Sequence, residues 1–307
     1  MHAKIIAGIL GALMLVPATA RAQEMKEWTL LVFMNGFNNL DDFGAEDLNE
    51  MEAVGSTDDI NVVVQWASLA RRDVRRVFVT QDNKPQQVTS LELQNLGQVD
   101  MGDAKTLVDF IQWGVENFPA KRYFIDVWNH GSGWHRVQLS DISFDDLSGH
   151  HITTEQLGQA MSESARLIGH KVDLYGSDAC LMGMVEVASE LSDSVDIFVG
   201  AEEVEPLAGW PYDAFLREWA KNPKMETREV AKILTYEYMR SYVNGDEDAA
   251  EVTLSAFDLK RMPQLQDAFR AFSSQVLALC AEGIQDAAKR GREPLTFYDS
   301  DYAALGD

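Results

Sequence analysis

The chain has 307 residues, long enough for one large α/β domain or two smaller ones, and carries 26 Lys plus Arg against 49 Asp plus Glu for a formal net charge of -23. So acidic a protein is poorly suited to nucleic acid or anionic membranes, whose binding is driven by basic surface, and well suited to attracting cationic groups. The same acidity also serves plain solubility in an exported protein.

Residues 1–22 read as a signal peptide: Met1 to Lys4 is positively charged, Ile5 to Val16 is apolar, and Ala20-Arg21-Ala22 supplies small residues at a cleavage site after Ala22. The apolar run is too short to span a bilayer and no later run is long enough, so no membrane anchor is expected after cleavage. Residues 23–307 read as one domain, without internal repeat, low-complexity tract or linker. The chain stops at Asp307 without a recognisable closing element, which leaves a longer protein open.

Trp28 to Met34 is a buried strand ending at the turn Asn35-Gly36, Leu40 to Val54 a helix, and Ile60 to Trp66 a second strand. This alternation predicts a mostly parallel sheet covered by helices. Val74 to Thr80 and Val88 to Leu93 read as a hairpin projecting from the sheet, Asp103 to Phe118 as a helix closed by Pro119, and Tyr123 to Trp128 as a third strand. That strand runs into Asn129-His130-Gly131-Ser132-Gly133-Trp134, whose glycines permit close approach of a ligand. Ser140 to His151 reads as a polar loop, and Thr153 or Thr154 caps a helix reaching Ile168. Lys171 to Gly176 is a fourth strand, Leu181 to Leu191 a helix, and Val195 to Ala201 a fifth strand with Glu202, Glu203 and Glu205 at its end. Tyr212 to Ala220 and Thr227 to Val243 are helical, Asn244 to Asp248 an acidic turn, Val252 to Phe257 one more strand, and Leu259 to about Arg290 a helix bent near Pro263.

In a parallel sheet reactive groups gather at the carboxyl ends of the strands, and His130 and Cys180 follow consecutive strands to that edge. A thiol at a helix start is favoured as thiolate, and a nearby imidazole makes it a nucleophile with a general base, which implies acyl transfer. Backbone N–H groups of Gly131 and Cys180 are the candidate oxyanion donors. Taken singly, Cys180 reads first as a small buried apolar residue, and His130 equally as an idle loop histidine. The other cysteine, Cys280, lies in the apolar helical run Phe272 to Ile284, where a buried free thiol is simpler than a disulfide to Cys180. His150, His151 and His170 lie in polar stretches and read as solvent-exposed; His135 is nearer the site.

Asn129-His130-Gly131-Ser132-Gly133-Trp134 and Asp178-Ala179-Cys180-Leu181-Met182-Gly183 resemble the clostripain family of cysteine peptidases, within the wider caspase-like group. Trp28 to Asp41 and Gly200 to Tyr212, with Glu202, Glu203, Gly209, Trp210 and Tyr212, extend the resemblance over most of the mature chain. His130 precedes Cys180 by about 50 residues, the caspase spacing. The resemblance implies a caspase-like α/β fold, a mostly parallel central sheet with helices on both faces, and an endopeptidase cutting protein or peptide substrates after Arg or Lys. It makes His130 and Cys180 the dyad and Asp178 the carboxylate that selects a cationic side chain, a role its charge fits. Asp178 is otherwise a helix cap, and Glu202 and Glu203 are weaker pocket candidates. No cofactor is required for this chemistry; calcium is a family trait, although Asn39 to Gly44 lacks an EF-hand's ligand alternation and no metal site is named. Some relatives mature by cutting after a basic residue between the dyad residues. Here Val137 to Ala165 has no Lys or Arg and Arg136 is the only basic residue early in that loop, which argues against maturation by that route and leaves two alternatives: one uncut chain, or a cut elsewhere, for instance at Arg71-Arg72 or Arg75-Arg76. A catalytically silent caspase-like module binding cationic peptides, and a caspase-like peptidase of other specificity, are the alternatives; oligomeric state is open.

Overall fold

The structure, a computed structural model, describes residues 25–84, 86–134, 141–244 and 251–277. The signal region, Pro85, His135, Arg136, most of the Asn244 to Asp248 turn and Cys280 lie outside the described residues.

The sheet is built around β1 (Lys26–Gly36), whose eleven residues are almost all buried. Its alternate side chains enter two cores: Leu30, Val32 and Met34 face one way, Leu31 and Phe33 the other. A strand buried on both faces belongs inside a parallel sheet, which is where β1 lies. It pairs in parallel with β2 (Ile60–Ser68) on one side and β5 (Ala120–Trp128) on the other. Beyond β5 the parallel ladder continues through β8 (Val172–Asp178) and β9 (Val195–Gly200). Strands β3 (Asp73–Phe78) and β4 (Leu91–Gly97) extend one edge antiparallel and β10 (Ser255–Asp258) the other, giving eight strands ordered β10-β9-β8-β5-β1-β2-β3-β4.

Helices cover both faces. On one, α1 (Asp41–Glu52), α5 (Tyr212–Ala220) and α6 (Thr227–Asn244) bury Leu48, Met51, Trp219, Val230 and Leu234. On the other, α2 (Ala104–Asn117), α3 (Thr154–Ile168) and α4 (Val185–Leu191) bury Phe110, Ile111, Leu157, Met161 and Val187. Local chemistry sets the boundaries. Asp103 caps α2 by accepting from the Lys105 amide, and α3 opens on a capping box between Thr153 and Gln156 and ends at Gly169 with φ 91°. No helix among the described residues is long and apolar enough to cross a membrane.

Four expectations need correction. The hairpin of β3 and β4 does not project from the sheet but continues it, because Val74 and Val77 are buried and Arg76 stacks 4.5 Å over Trp113 while donating to Gln65 Oε1. Arg76 is thereby removed as an accessible cleavage point, whereas Arg71 and Arg72 lie in an exposed turn. The polar stretch after residue 140 holds a small antiparallel hairpin, β6 (Asp141–Asp145) with β7 (His150–Thr153), anchored by fully buried Ile142 and Ile152. Pro263 does not bend a helix but occupies the first turn of α7 (Met262–Leu277), where its missing N–H costs nothing. Finally, the helix expected from Leu181 begins only at Val185.

Replacing Thr153 by Ala removes the α3 cap, and the unfolding free energy from a denaturant titration should fall by about 1 kcal/mol. An unchanged midpoint would mean that the capping box does not hold this helix.

Candidate active site

The last rung of the β5–β8 ladder pairs Trp128 with Asp178, and the Asn129 amide continues the register by donating to the Asp178 carbonyl at 3.1 Å. His130 and Cys180 each lie two residues past that rung, so they leave the sheet side by side. The loops that carry them touch. A Cβ on Gly131 would fall 2.5 Å from the Cys180 carbonyl oxygen, and one on Gly133, at φ 57°, only 2.3 Å from that of Leu181. Only glycine permits this approach. His130, Cys180 and Asp178 line one cavity, together with Trp128, Glu205 and Leu207.

The β6–β7 hairpin and the loop after β1 hold the histidine loop in place. Asn129 donates to the Asn35 carbonyl at 2.6 Å and accepts from the Phe144 amide at 2.7 Å, while Asn38 donates to the Phe144 carbonyl at 2.8 Å. His130 Nε2 lies 2.7 Å from Asn39 Oδ1. An amide oxygen only accepts, so Nε2 carries the proton and Nδ1 is the basic nitrogen. Burial pushes the His130 pKa below the usual imidazole value, against a smaller opposing pull from Asp146.

Cys180 is not at a helix start. It precedes a turn in which Leu181 adopts φ 62°, with Met184 as the N-cap of α4. Leu181 and Gly183 amides donate to Glu203 and Ala201 carbonyls, so the turn is pinned to the chain leaving β9. The helix dipole therefore does not lower the thiol pKa. Burial pushes it up, and the Glu205 amide, 3.3 Å from Sγ, offsets this only in part. No hydrogen bond joins His130 to Cys180 among the described residues, and burial shifts both groups toward their uncharged forms. The amides of Gly131 and Cys180 donate to no backbone acceptor among the described residues.

Asp178 caps nothing. Only 4% exposed, it points into the cavity, where Tyr212 Oη lies 2.8 Å and the Trp210 amide 3.4 Å from Oδ2. Burial pushes its pKa up to about 6, against the bonds from Glu205, Tyr212 and Trp210. Glu205 is beside it, its Oε1 3.3 Å from Trp210 Nε1, and burial together with the charge of Asp178 holds it well above the carboxylate range. Asp126 bonds to Tyr212, and Asp47 accepts from Trp128 Nε1 at 2.5 Å; both are buried and raised well above the carboxylate range. Glu202 and Glu203 lie outside the cavity lining, as does Asn39. No three potential metal ligands cluster among the described residues, so no residue is assigned to calcium.

Sequence reasoning gave no role in the site to Asn39, Asp126, Glu205 or Tyr212. Asp126 carried a signal, since a carboxylate inside the apolar run Tyr123 to Trp128 is rarely buried without a task. Glu205 was hidden among acids that a strand end commonly exposes.

A family model described as the clostripain family matches residues 32–298. Among solved structures the chain is similar to a secreted C11 cysteine protease from Bacteroides thetaiotaomicron in complex with an irreversible peptide inhibitor. The identity is 22% and the TM-score 0.64, covering 80% of this chain and 70% of that one. It is also similar to iotapain, a secreted C11 cysteine protease of the same organism, at 15% identity and TM-score 0.67 over 82% and 71% of the two chains. An inactive zymogen C11 protease from Parabacteroides distasonis matches at 16% identity and TM-score 0.66, over 91% and 74%. These likenesses show the expected caspase-like fold, a mostly parallel sheet with helices on both faces. No curated protein matches the chain.

Iodoacetamide labelling of Cys180 in the free protein should rise with pH through a midpoint above that of an ordinary thiol. A rate already at its plateau at pH 6 would instead reveal a thiolate–imidazolium pair at rest.

Proposed function

The chain belongs to the clostripain family of cysteine peptidases, and from that premise we propose that it is an exported endopeptidase that hydrolyses peptide bonds after Arg or Lys. In this reading Cys180 is the nucleophile and His130 the general base and acid. Export is supported by the leader-like pattern of residues 1–22 and by two structural neighbours described as secreted. The observation that carries the specificity is the pair of buried carboxyl groups, Asp178 and Glu205, lining the same cavity as the thiol with no Lys or Arg in its lining among the described residues.

The chemistry follows from the geometry. A basic substrate side chain enters the cavity and neutralises Asp178, which places the adjoining carbonyl near Sγ. Nδ1 of His130 takes the thiol proton as sulfur attacks, the Gly131 and Cys180 amides receive the oxyanion, and the imidazolium returns its proton to the leaving amine. Water, activated by the same histidine, then hydrolyses the thioester. Because burial shifts the thiol toward its uncharged form, proton transfer accompanies attack. Asn39 fixes the tautomer that makes Nδ1 the base.

Hydrolysis of matched peptides differing in the residue before the scissile bond tests this. The wild type should prefer Arg or Lys over neutral residues, Cys180→Ala should be inactive, and Asp178→Asn should lose about 100-fold or more in kcat/KM for basic substrates alone. Activity surviving in Cys180→Ala ends the cysteine-peptidase reading, and a retained basic preference in Asp178→Asn removes Asp178 from the pocket. For basic substrates kcat/KM should fall as pH drops through about 6, where Asp178 takes up a proton and can no longer attract a cation. Gly131→Ala should cost about 100-fold in kcat/KM by separating the two loops; unchanged turnover would show that their close approach is dispensable.

A further inference from the structure

Tyr212 carries one hydroxyl proton but lies between two buried carboxyl groups, its Oη 2.7 Å from Asp126 Oδ2 and 2.8 Å from Asp178 Oδ2. A hydroxyl donates once, so at most one of these contacts uses the tyrosine proton. The other needs a proton on a carboxyl group. We propose that Asp126 is a neutral acid that donates to Tyr212 Oη, so that the Tyr212 hydroxyl donates to Asp178 and holds it as the anion that receives a basic substrate side chain. Asp126 and Tyr212 are then positioning residues for the specificity carboxylate, an inference that rests on the Arg/Lys reading above.

The surroundings of the two carboxyl groups decide which one keeps the proton. Asp126 lies in the middle of β5 with Val32 of β1 and Gly176 of β8 as its ladder neighbours, and it is fully buried. Among the described residues the charge that acts on it is that of Asp178. An ion there would be fully desolvated and would meet the charge of Asp178, with only the Tyr212 hydroxyl and the Asp178 amide to offset it, whereas a neutral acid needs only one acceptor. Asp178 opens onto the cavity, where it accepts from the Trp210 amide and faces Glu205, so a negative charge has donors there and is reachable by a cation. The pKa directions agree: burial holds Asp126 well above the carboxylate range, while Asp178 reaches only about 6. Tyr212 is itself fixed, since its amide donates to Glu50 Oε2 at 2.9 Å and ties α5 to α1. The titratable groups facing Asp178 are Asp47 of α1, Asp126 of β5, Cys180 after β8, Glu205 of the segment between β9 and α5, Tyr212 of α5 and Tyr238 of α6. Those facing Asp126 are Asp178, Tyr212 and Tyr175 of β8. None is a histidine, lysine or arginine, so the competition for the proton is between the carboxyl groups, and the more deeply desolvated Asp126 keeps it.

The test measures kcat and KM of the purified protein across pH with peptides that carry arginine or its neutral isostere citrulline before the scissile bond. Tyr212→Phe should raise KM for the arginine peptide about tenfold with kcat within about twofold, and move the acid limb to higher pH because the Asp178 anion loses a donor. Asp126→Asn keeps a neutral donor at the same place, so its acid limb should stay within about half a pH unit of wild type. An unchanged KM and acid limb in Tyr212→Phe would overturn the inference. So would an Asp126→Asn variant, folded by its melting curve, whose acid limb moves by a full pH unit in either direction, since the residue would then have been the anion. A wild type that does not distinguish arginine from citrulline overturns the specificity reading and this inference with it; one that does, paired with a silent Tyr212→Phe, overturns this inference alone.

Discussion

The site depends on one register. Parallel pairing of β5 with β8 aligns Trp128 with Asp178, and everything that follows each strand inherits that alignment. Two residues farther on in each chain lie the imidazole and the thiol, and glycine at 131 and 133 lets their loops meet without a side chain between them. A slip of one residue in either strand would reverse the direction of every side chain beyond it, because side chains alternate across a sheet. Burial on both faces fixes the register, since Phe124 enters one core while Ile125 and Val127 enter the other. The same rung puts Asp178 beneath the cavity, so one hydrogen-bond ladder sets both the reactive pair and the carboxylate below it.

In the proposed reading the charges around the cavity give the site its selectivity and its idle state. Asp47, Asp126, Asp178 and Glu205 are buried close together, and burial holds all four pKa values up. Such a group tolerates few ions until a cation arrives, which makes an entering guanidinium or ammonium the natural compensation. The thiol obeys the same rule. It lies ahead of α4 rather than at its start, near the charge of Asp178, and burial pushes its pKa up. On the proposed reading the substrate itself relieves the electrostatics that hold the reaction back, and a formal net charge of -23 suits the approach of basic peptides.

Much of this was legible in the sequence where a pattern had a single physical reading. The apolar runs gave the parallel strands in order, and the placement of His130 and Cys180 after consecutive strands brought them to one edge. The failures have specific causes. Ser140 to His151 looked polar because a two-stranded hairpin needs only alternate apolar residues, here Ile142 and Ile152, among charged ones. Leu181 looked like a helix start because Met184, Val185 and Ala188 carry the period onward, yet a positive φ at Leu181 and hydrogen bonds to the chain after β9 delay the helix by four residues. That delay removed the helix dipole from the argument for Cys180. Asn39, Asp126, Glu205 and Tyr212 come from four separate segments, and only tertiary packing shows that they meet.

The central claim is that one cavity holds both the nucleophile and the carboxyl groups that select a basic side chain. A crystal structure of the protein after reaction with a peptidyl chloromethyl ketone ending in arginine tests it most directly. The account predicts a covalent bond from the ketone methylene to Cys180 Sγ, with the guanidinium within hydrogen-bond distance of Asp178 and Glu205. Attachment at another residue, or an arginine side chain lying in solvent away from both carboxyl groups, would contradict it.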